Sequence, residues 1–154
     1  MPEGWNFRAN SLEGCWERVF PNCRSERLFE IASNIEAYPG FIPGCVATRI
    51  LSASPDSVWT VDNIFGFGPI RTRFRTKATL DRPRRLKIVS NDGPWKDFAL
   101  TWDFAEEGTH TKVTCRFAVE FRSALLNQMA GLCIPEIERQ VISAFEKRAM
   151  LASA

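Results

Sequence analysis

ALLNQMAGLCIPEIERQVISAFEKRAMLA, residues 124–152, is the stretch on which the fold turns. In its second half Cys133, Ile137, Val141, Phe145 and Ala149 recur at intervals of four and mark one helical face, which this spacing predicts to be buried. Glu136, Glu138, Arg139, Gln140, Ser143, Glu146, Lys147 and Arg148 supply the wet side, and the Lys-Arg pair suits the negative pole of the helix dipole. The first half differs, because Leu125, Leu126, Met129, Ala130, Leu132, Cys133 and Ile134 are apolar nearly all round. Gly131 and Pro135 interrupt it, since proline removes a hydrogen bond and clashes one turn back, and a kink is expected there. Two readings of this half stand side by side: a bent core helix, or an apolar lip that moves over a cavity.

The residues before this helix read as strands and turns. Val46–Ala53, Val58–Phe65, Ile70–Leu80, Arg85–Asn91, Asp97–Ala105 and Thr111–Phe121 are separated by short connections rich in Pro, Gly, Asp and Ser. Phe98, Leu100, Trp102 and Phe104 form the apolar face of one strand; Val113, Cys115, Phe117, Val119 and Phe121 form that of the next. Short links make successive strands antiparallel neighbours. Upstream, Leu12, Gly14 and Trp16 alternate as a further strand over Ser11–Phe20, and Leu28, Phe29, Ile31 and Ala32 mark a short helix over Arg27–Asn34 with Ser25 and Glu26 in its first turn. Between Ile35 and Cys45, Pro39, Gly40, Pro43 and Gly44 forbid a continuous helix or a central strand. Met1–Asn10 reads as a loose lead-in. One long amphipathic helix is then left to cover a sheet with one apolar face, and the simplest two-layer solution is a curved sheet gripping that helix.

A tight Gly66–Pro69 turn predicts Phe65 opposite Ile70, Asn63 opposite Thr72, Val61 opposite Phe74 and Trp59 opposite Thr76, all facing inward. Asn63, Thr72 and Thr76 are the polar members of that face, and each needs a neighbour, a water or a ligand atom. The same register gathers Arg71, Arg73, Arg75 and Lys77 on the outer face with Asp62 opposite Arg73. With Arg82, Arg84, Arg85 and Lys87 they give residues 71–87 a net +7, against +2 for the whole chain. Such a row is a solvated strand face, or a surface for anionic headgroups or RNA phosphates.

Composition bounds the rest. With 154 residues, 45% hydrophobic and 25% charged, the chain is one soluble globular domain, residues 1–154. Twelve Phe and five Trp against one Tyr suit a greasy interior or an apolar ligand site. Five dispersed cysteines without a CxxC pair argue against a disulfide framework or a zinc site and for reduced thiols. No run approaches the ~20 apolar residues of a membrane span, and the start lacks a signal-peptide pattern. The only histidine, His110, falls in an exposed turn, and no phosphate loop, nucleophile elbow or metal-ligand cluster is present. No residue is nominated as nucleophile or general base.

Tyr38-Pro-Gly-Phe-Ile-Pro-Gly-Cys45, Asp92-Gly-Pro-Trp-Lys with Trp102-Asp-Phe104, Val119-Glu-Phe-Arg-Ser-Ala-Leu-Leu126 and Ala144-Phe-Glu-Lys-Arg-Ala149 together resemble the coenzyme Q-binding branch of the START-like, polyketide cyclase/dehydrase superfamily. The resemblance runs from about Glu13 to Leu151. It implies an α+β helix-grip (START-like) fold: a curved antiparallel seven-stranded sheet around a long C-terminal helix, with two short helices after the first strand. It also implies binding and transport of a lipophilic molecule, ubiquinone or a similar polyprenyl quinone, in support of respiration. A sister group is described as a ribosome-association toxin, which would meet ribosomal RNA through the basic strand, and more distant relatives are polyketide cyclases. The chain departs from the family at Gly44, where a Trp is common, and at Pro135.

On this reading the cavity is lined by Tyr38, Phe41 and Ile42; by Trp59, Asn63, Phe65, Thr72 and Phe74; by Trp95, Phe98, Leu100, Trp102 and Phe117; and by Met129, Leu132, Cys133, Ile137, Val141 and Phe145 of the helix. The protein is expected to be a carrier rather than an enzyme, with no required cofactor, no metal, and a quinone or other lipid as ligand. Arg71, Arg73, Arg75 and Lys77 are the expected contact with anionic membrane, or with RNA in the toxin reading. The expected location is the cytoplasm, with peripheral contact at the inner face of the membrane.

Overall fold

The computed structural model describes residues 11–67 and 69–153; the expected lead-in Met1–Asn10 lies outside them. Alternating apolar positions build seven strands: β1 (Leu12–Phe20), β2 (Cys45–Ala53), β3 (Val58–Phe67), β4 (Ile70–Asp81), β5 (Arg85–Ser90), β6 (Trp95–Glu107) and β7 (His110–Phe121). They form one antiparallel sheet in the order β1-β7-β6-β5-β4-β3-β2. Strands β2 to β7 are a meander of neighbours, as short turns require, while β1 joins at long range by pairing Trp16 with Cys115 on β7. Helix α1 (Ser25–Ser33), a 3₁₀ helix (Ile35–Gly40) and the long α2 (Ala124–Ser153) complete the helix-grip arrangement.

The β3–β4 register differs from the expected one by two residues. Phe65 faces Thr72, Asn63 faces Phe74, Val61 faces Thr76 and Trp59 faces Ala78, because β3 continues through Gly66 and Phe67 and the connection shortens. An even shift leaves every side chain on its expected face. It moves Asp62 opposite Arg75, yet the Asp62 carboxylate still accepts from Arg73 Nε at 3.0 Å, a diagonal cross-strand pair. On β6 a bulge between Trp95 and Asp97 turns Trp95 to the same face as Phe98.

At the start of α1, Ser25 acts through a strand instead of capping its own helix. Its backbone N–H and its hydroxyl both donate to Glu106 Oε1 of β6 at 2.9 Å, and these bonds hold the Glu106 carboxyl below its ordinary range.

Helix α2 continues through Gly131 and Pro135 without a break. Both residues are exposed, so water can satisfy the backbone carbonyl that proline leaves free. Its C-terminal half is anchored by Phe145 (0% exposed), which lies 5.0 Å from Trp102 and 5.6 Å from Phe20, ring centre to ring centre. Trp16 meets Trp102 edge-on at 5.6 Å, and α1 adds Leu28 and Phe29 to this core.

The N-terminal half of α2 is turned differently from the expected row. Ala130, Ile134, Ile137, Glu138 and Val141 face the sheet, while Cys133 is exposed, as are Met129 (55%) and Leu132 (85%). The reason is geometric. An α-helix has 3.6 residues per turn, so each step of four overshoots by about 40°, and three steps back from Phe145 carry Cys133 about 120° around the axis.

Candidate functional site

Between the concave sheet face and α2 lies a cavity of about 230 Å³. Of the residues expected to line it, Tyr38, Ile42, Asn63, Phe65, Phe74, Trp95, Phe98, Leu100, Trp102, Phe117, Ile137 and Val141 do so. Seven do not. Met129, Leu132 and Cys133 point outward for the reason given above. Phe145 is consumed by the core, and Trp59 packs against that core from β3. Thr72, half-buried on β4, lies outside the lining. Phe41 packs on Tyr38 at 5.2 Å and lies under the Arg148 guanidinium on the outer side of the loop.

The structure adds residues that were not singled out. Trp16 and Cys115 enter because they pair where β1 joins β7, and Phe121 because it pairs with Trp95 of β6; Ile88 comes from β5, and Ala130 and Ile134 from the turned face of α2. The alternation already marked Cys115, Val119 and Phe121 as inward, so that signal was available. Glu138 had none, since it was assigned to the wet side.

The walls are overwhelmingly hydrocarbon and aromatic. One end is a cage in which Trp95 lies 4.4 Å from Phe121, 5.0 Å from Phe98 and 5.5 Å from Phe74. The polar groups divide into satisfied and unsatisfied. Asn63 Nδ2 donates to the Val61 and Phe74 carbonyls and to Thr76 Oγ1 at 3.1–3.2 Å, so these two polar residues answer each other. Tyr38 donates its hydroxyl to the Ala32 carbonyl, and burial pushes its ionisation far above the ordinary tyrosine range. By contrast, the buried indole N–H groups of Trp95 and Trp102 have no acceptor among the described residues. An unmet buried donor costs on the order of 1–3 kcal/mol.

Glu138 brings a carboxylate to this lining, and loss of solvent raises its pKa. No hydrogen bond or ion pair engages it among the described residues. Burial also raises the cavity thiol Cys115 and pushes the neighbouring Cys45 up to about 11, which keeps both protonated and poorly nucleophilic near neutrality. Among the described residues no group of three His, Cys, Asp or Glu side chains is placed to hold a metal ion.

Arg71, Arg73, Arg75 and Lys77 are exposed on the convex side of β4, away from the cavity. Arg73 is paired with Asp62, Arg84 with Asp81 and Arg85 with Asp103, so part of the local positive charge is neutralised in place. His110 is exposed at the start of β7. No helix among the described residues is long and apolar enough to cross a membrane.

Comparison with known proteins gives a consistent set. The family described as polyketide cyclase / dehydrase and lipid transport matches residues 21–146. The ribosome association toxin RatA of Escherichia coli K12 is 25% identical over 126 residues, covering 81% of this chain and 79% of that protein. The mitochondrial coenzyme Q-binding protein COQ10 homolog B of Xenopus laevis is 26% identical over 129 residues; the match covers 80% of this chain but only 52% of that protein. The solution structure of the 18 kDa protein CC1736 from Caulobacter crescentus superposes with a TM-score of 0.73 at 30% identity, covering 93% of this chain and 99% of that one.

Proposed function

This chain belongs to the polyketide cyclase/dehydrase and lipid transport family, and from that membership we propose that it binds and carries a hydrophobic ligand, with a polyprenyl quinone such as ubiquinone as the best-fitting class. The observation that carries the reading is the aromatic cage around Trp95 together with its unmet indole donor. A quinone ring stacks in such a cage, and its carbonyl accepts the hydrogen bond the indole lacks. Trp95 and Trp102 are seven residues apart on β6, roughly 23 Å along an extended strand, so one quinone ring engages one of them. The volume of about 230 Å³ supports the same division. It lies below the roughly 300–1,000 Å³ of drug-sized sites, so it takes a ring-sized head and leaves an isoprenoid chain to run out beside α2. The name of the Xenopus relative supports quinone as the ligand. Loading takes place at an anionic bilayer surface, where Arg71, Arg75 and Lys77 of β4 contribute roughly 1 kcal/mol each and Arg73, paired with Asp62, contributes less.

The test is organic extraction and mass spectrometry of protein purified without detergent, combined with decylubiquinone titration followed by tryptophan quenching. A co-purifying quinone and saturable quenching are expected. Trp95→Phe, which keeps an aromatic ring but removes the donor and part of the stacking surface, weakens binding about 5- to 10-fold. An empty protein that also fails to bind decylubiquinone would sink the reading.

A second reading is supported by the RatA similarity and by the row Arg71, Arg73, Arg75 and Lys77: association with a ribosomal subunit through RNA phosphates. Salt weakens both lipid and RNA contacts, so competition decides. Tight binding of purified subunits, lost when all four residues are changed to Gln, with no binding to anionic vesicles, would put this reading first.

A further inference from the structure

A cleft on the outside of the molecule runs between the loop after the 3₁₀ helix and the flank of α2, with Gly40, Phe41, Gln140 and Ala144 common to both of its halves. Arg71 stands in one half, and Lys147 and Arg148 stand in the other. Both arginines are seated against glycines. Arg148 Nη2 lies 2.6 Å from where a β-carbon on residue 40 would stand, and Arg71 Nη1 lies 2.8 Å from the same point on residue 66. A β-carbon at either position would make the guanidinium shift. Arg148 is further held by Phe41, whose ring centre is 4.9 Å from its Cζ. Among the described residues neither Arg71 nor Arg148 has an ion-pair partner. Glu136, the acid on the cleft wall, is already engaged by Arg139 and Gln140.

We propose that this cleft is a phosphate-binding site, taking the headgroup of an anionic lipid or a free phosphate ester. Guanidinium forks match an oxyanion with paired, directional hydrogen bonds, and Arg148, stacked on Phe41, loses less freedom on binding than an unsupported side chain. On the open row of β4, by contrast, Arg73 is already paired with Asp62. Ile42 and Pro43 line this cleft on one side and the apolar cavity on the other, so a bound headgroup sits one residue's thickness from the cavity. The inference holds whichever apolar molecule the cavity takes.

The experiment is a titration of the full chain with inorganic phosphate and with dihexanoyl phosphatidic acid below its micellar concentration, at constant ionic strength, following arginine side-chain N–H resonances. Shifts confined to Arg71 and Arg148 are expected, with a loss of at least about 10-fold in either single variant, Arg71→Gln or Arg148→Gln, and no change in Arg75→Gln, which removes the same single charge from the open row. Tighter binding of the phosphatidic acid assigns the site to a lipid headgroup; equal binding assigns it to free phosphate. If Arg148→Gln fails to fold, Arg71→Gln and Arg148→Lys carry the test, the latter keeping charge but losing the fork. Absence of residue-specific shifts, or an equal loss in Arg75→Gln, would overturn the proposal.

Discussion

The Glu138 carboxylate of α2 and the Phe117 ring together occupy the space that a β-carbon on Gly14 of β1 would fill. The long helix therefore closes onto the edge strand through a residue with no side chain, and a carboxylate is drawn to the rim of an apolar cavity. Gly14→Ala is expected to lower stability by about 1–3 kcal/mol in urea denaturation, since a strand alanine is otherwise harmless and the loss comes from overpacking. Adding Glu138→Ala recovers only part of it, because Phe117 remains. A Gly14→Ala variant as stable as the parent would contradict this contact.

Glu138 also sets a pH dependence. Its folded pKa is raised by desolvation, so the folded state holds this proton more tightly than the unfolded state does. Stability from this group is present below the unfolded value of roughly 4.3 and is lost as pH rises through the folded value. Glu138→Gln should match the parent in melting temperature at pH 3.5 and exceed it at pH 7. Equal melting temperatures at both pH values would show that burial does not govern this carboxyl. Among the described residues the same carboxyl is the acid that lines the cavity, so activity on a polyketide substrate lost in Glu138→Gln would favour the enzymatic side of the family.

Trp102 separates stability from binding. At 1% exposure, packed on Trp16 and Phe145, it belongs to the core as much as to the cavity, and Trp102→Ala should cost about 3–5 kcal/mol. Phe98, half-buried and away from that cluster's centre, is the better probe. Phe98→Leu should weaken decylubiquinone at least about 5-fold while losing under ~1.5 kcal/mol of stability. Urea melts of the two variants beside their quenching curves check both statements.

The outer side of α2 should tolerate polarity. Leu132 is 85% exposed, so Leu132→Ser should change stability by no more than about 0.5 kcal/mol beyond helix propensity. A buried Leu would lose several times that. If Leu132→Ser binds anionic vesicles as the parent does, this apolar stripe takes no part in membrane contact.

The sheet was legible in the chain because a period of two survives local error. The two-residue slip between β3 and β4 left Asn63, Phe65, Phe74 and Thr76 facing inward, and each strand's core face followed from its own alternation. The long helix and its anchoring by Phe145 and Ala149 were equally legible. What only the tertiary structure decided is rotation and long-range closure. A row of four-residue steps drifts around a helix, so packing at Phe145 left Cys133 in solvent and turned Glu138 inward. Trp16 joined the cavity because β1 pairs with β7 across about a hundred residues of sequence, and Arg71 and Arg148 stand in adjoining halves of one cleft because β4 and α2 both pass residues 39–46. No local pattern encodes such meetings, since they depend on where elements distant in sequence are carried by the fold.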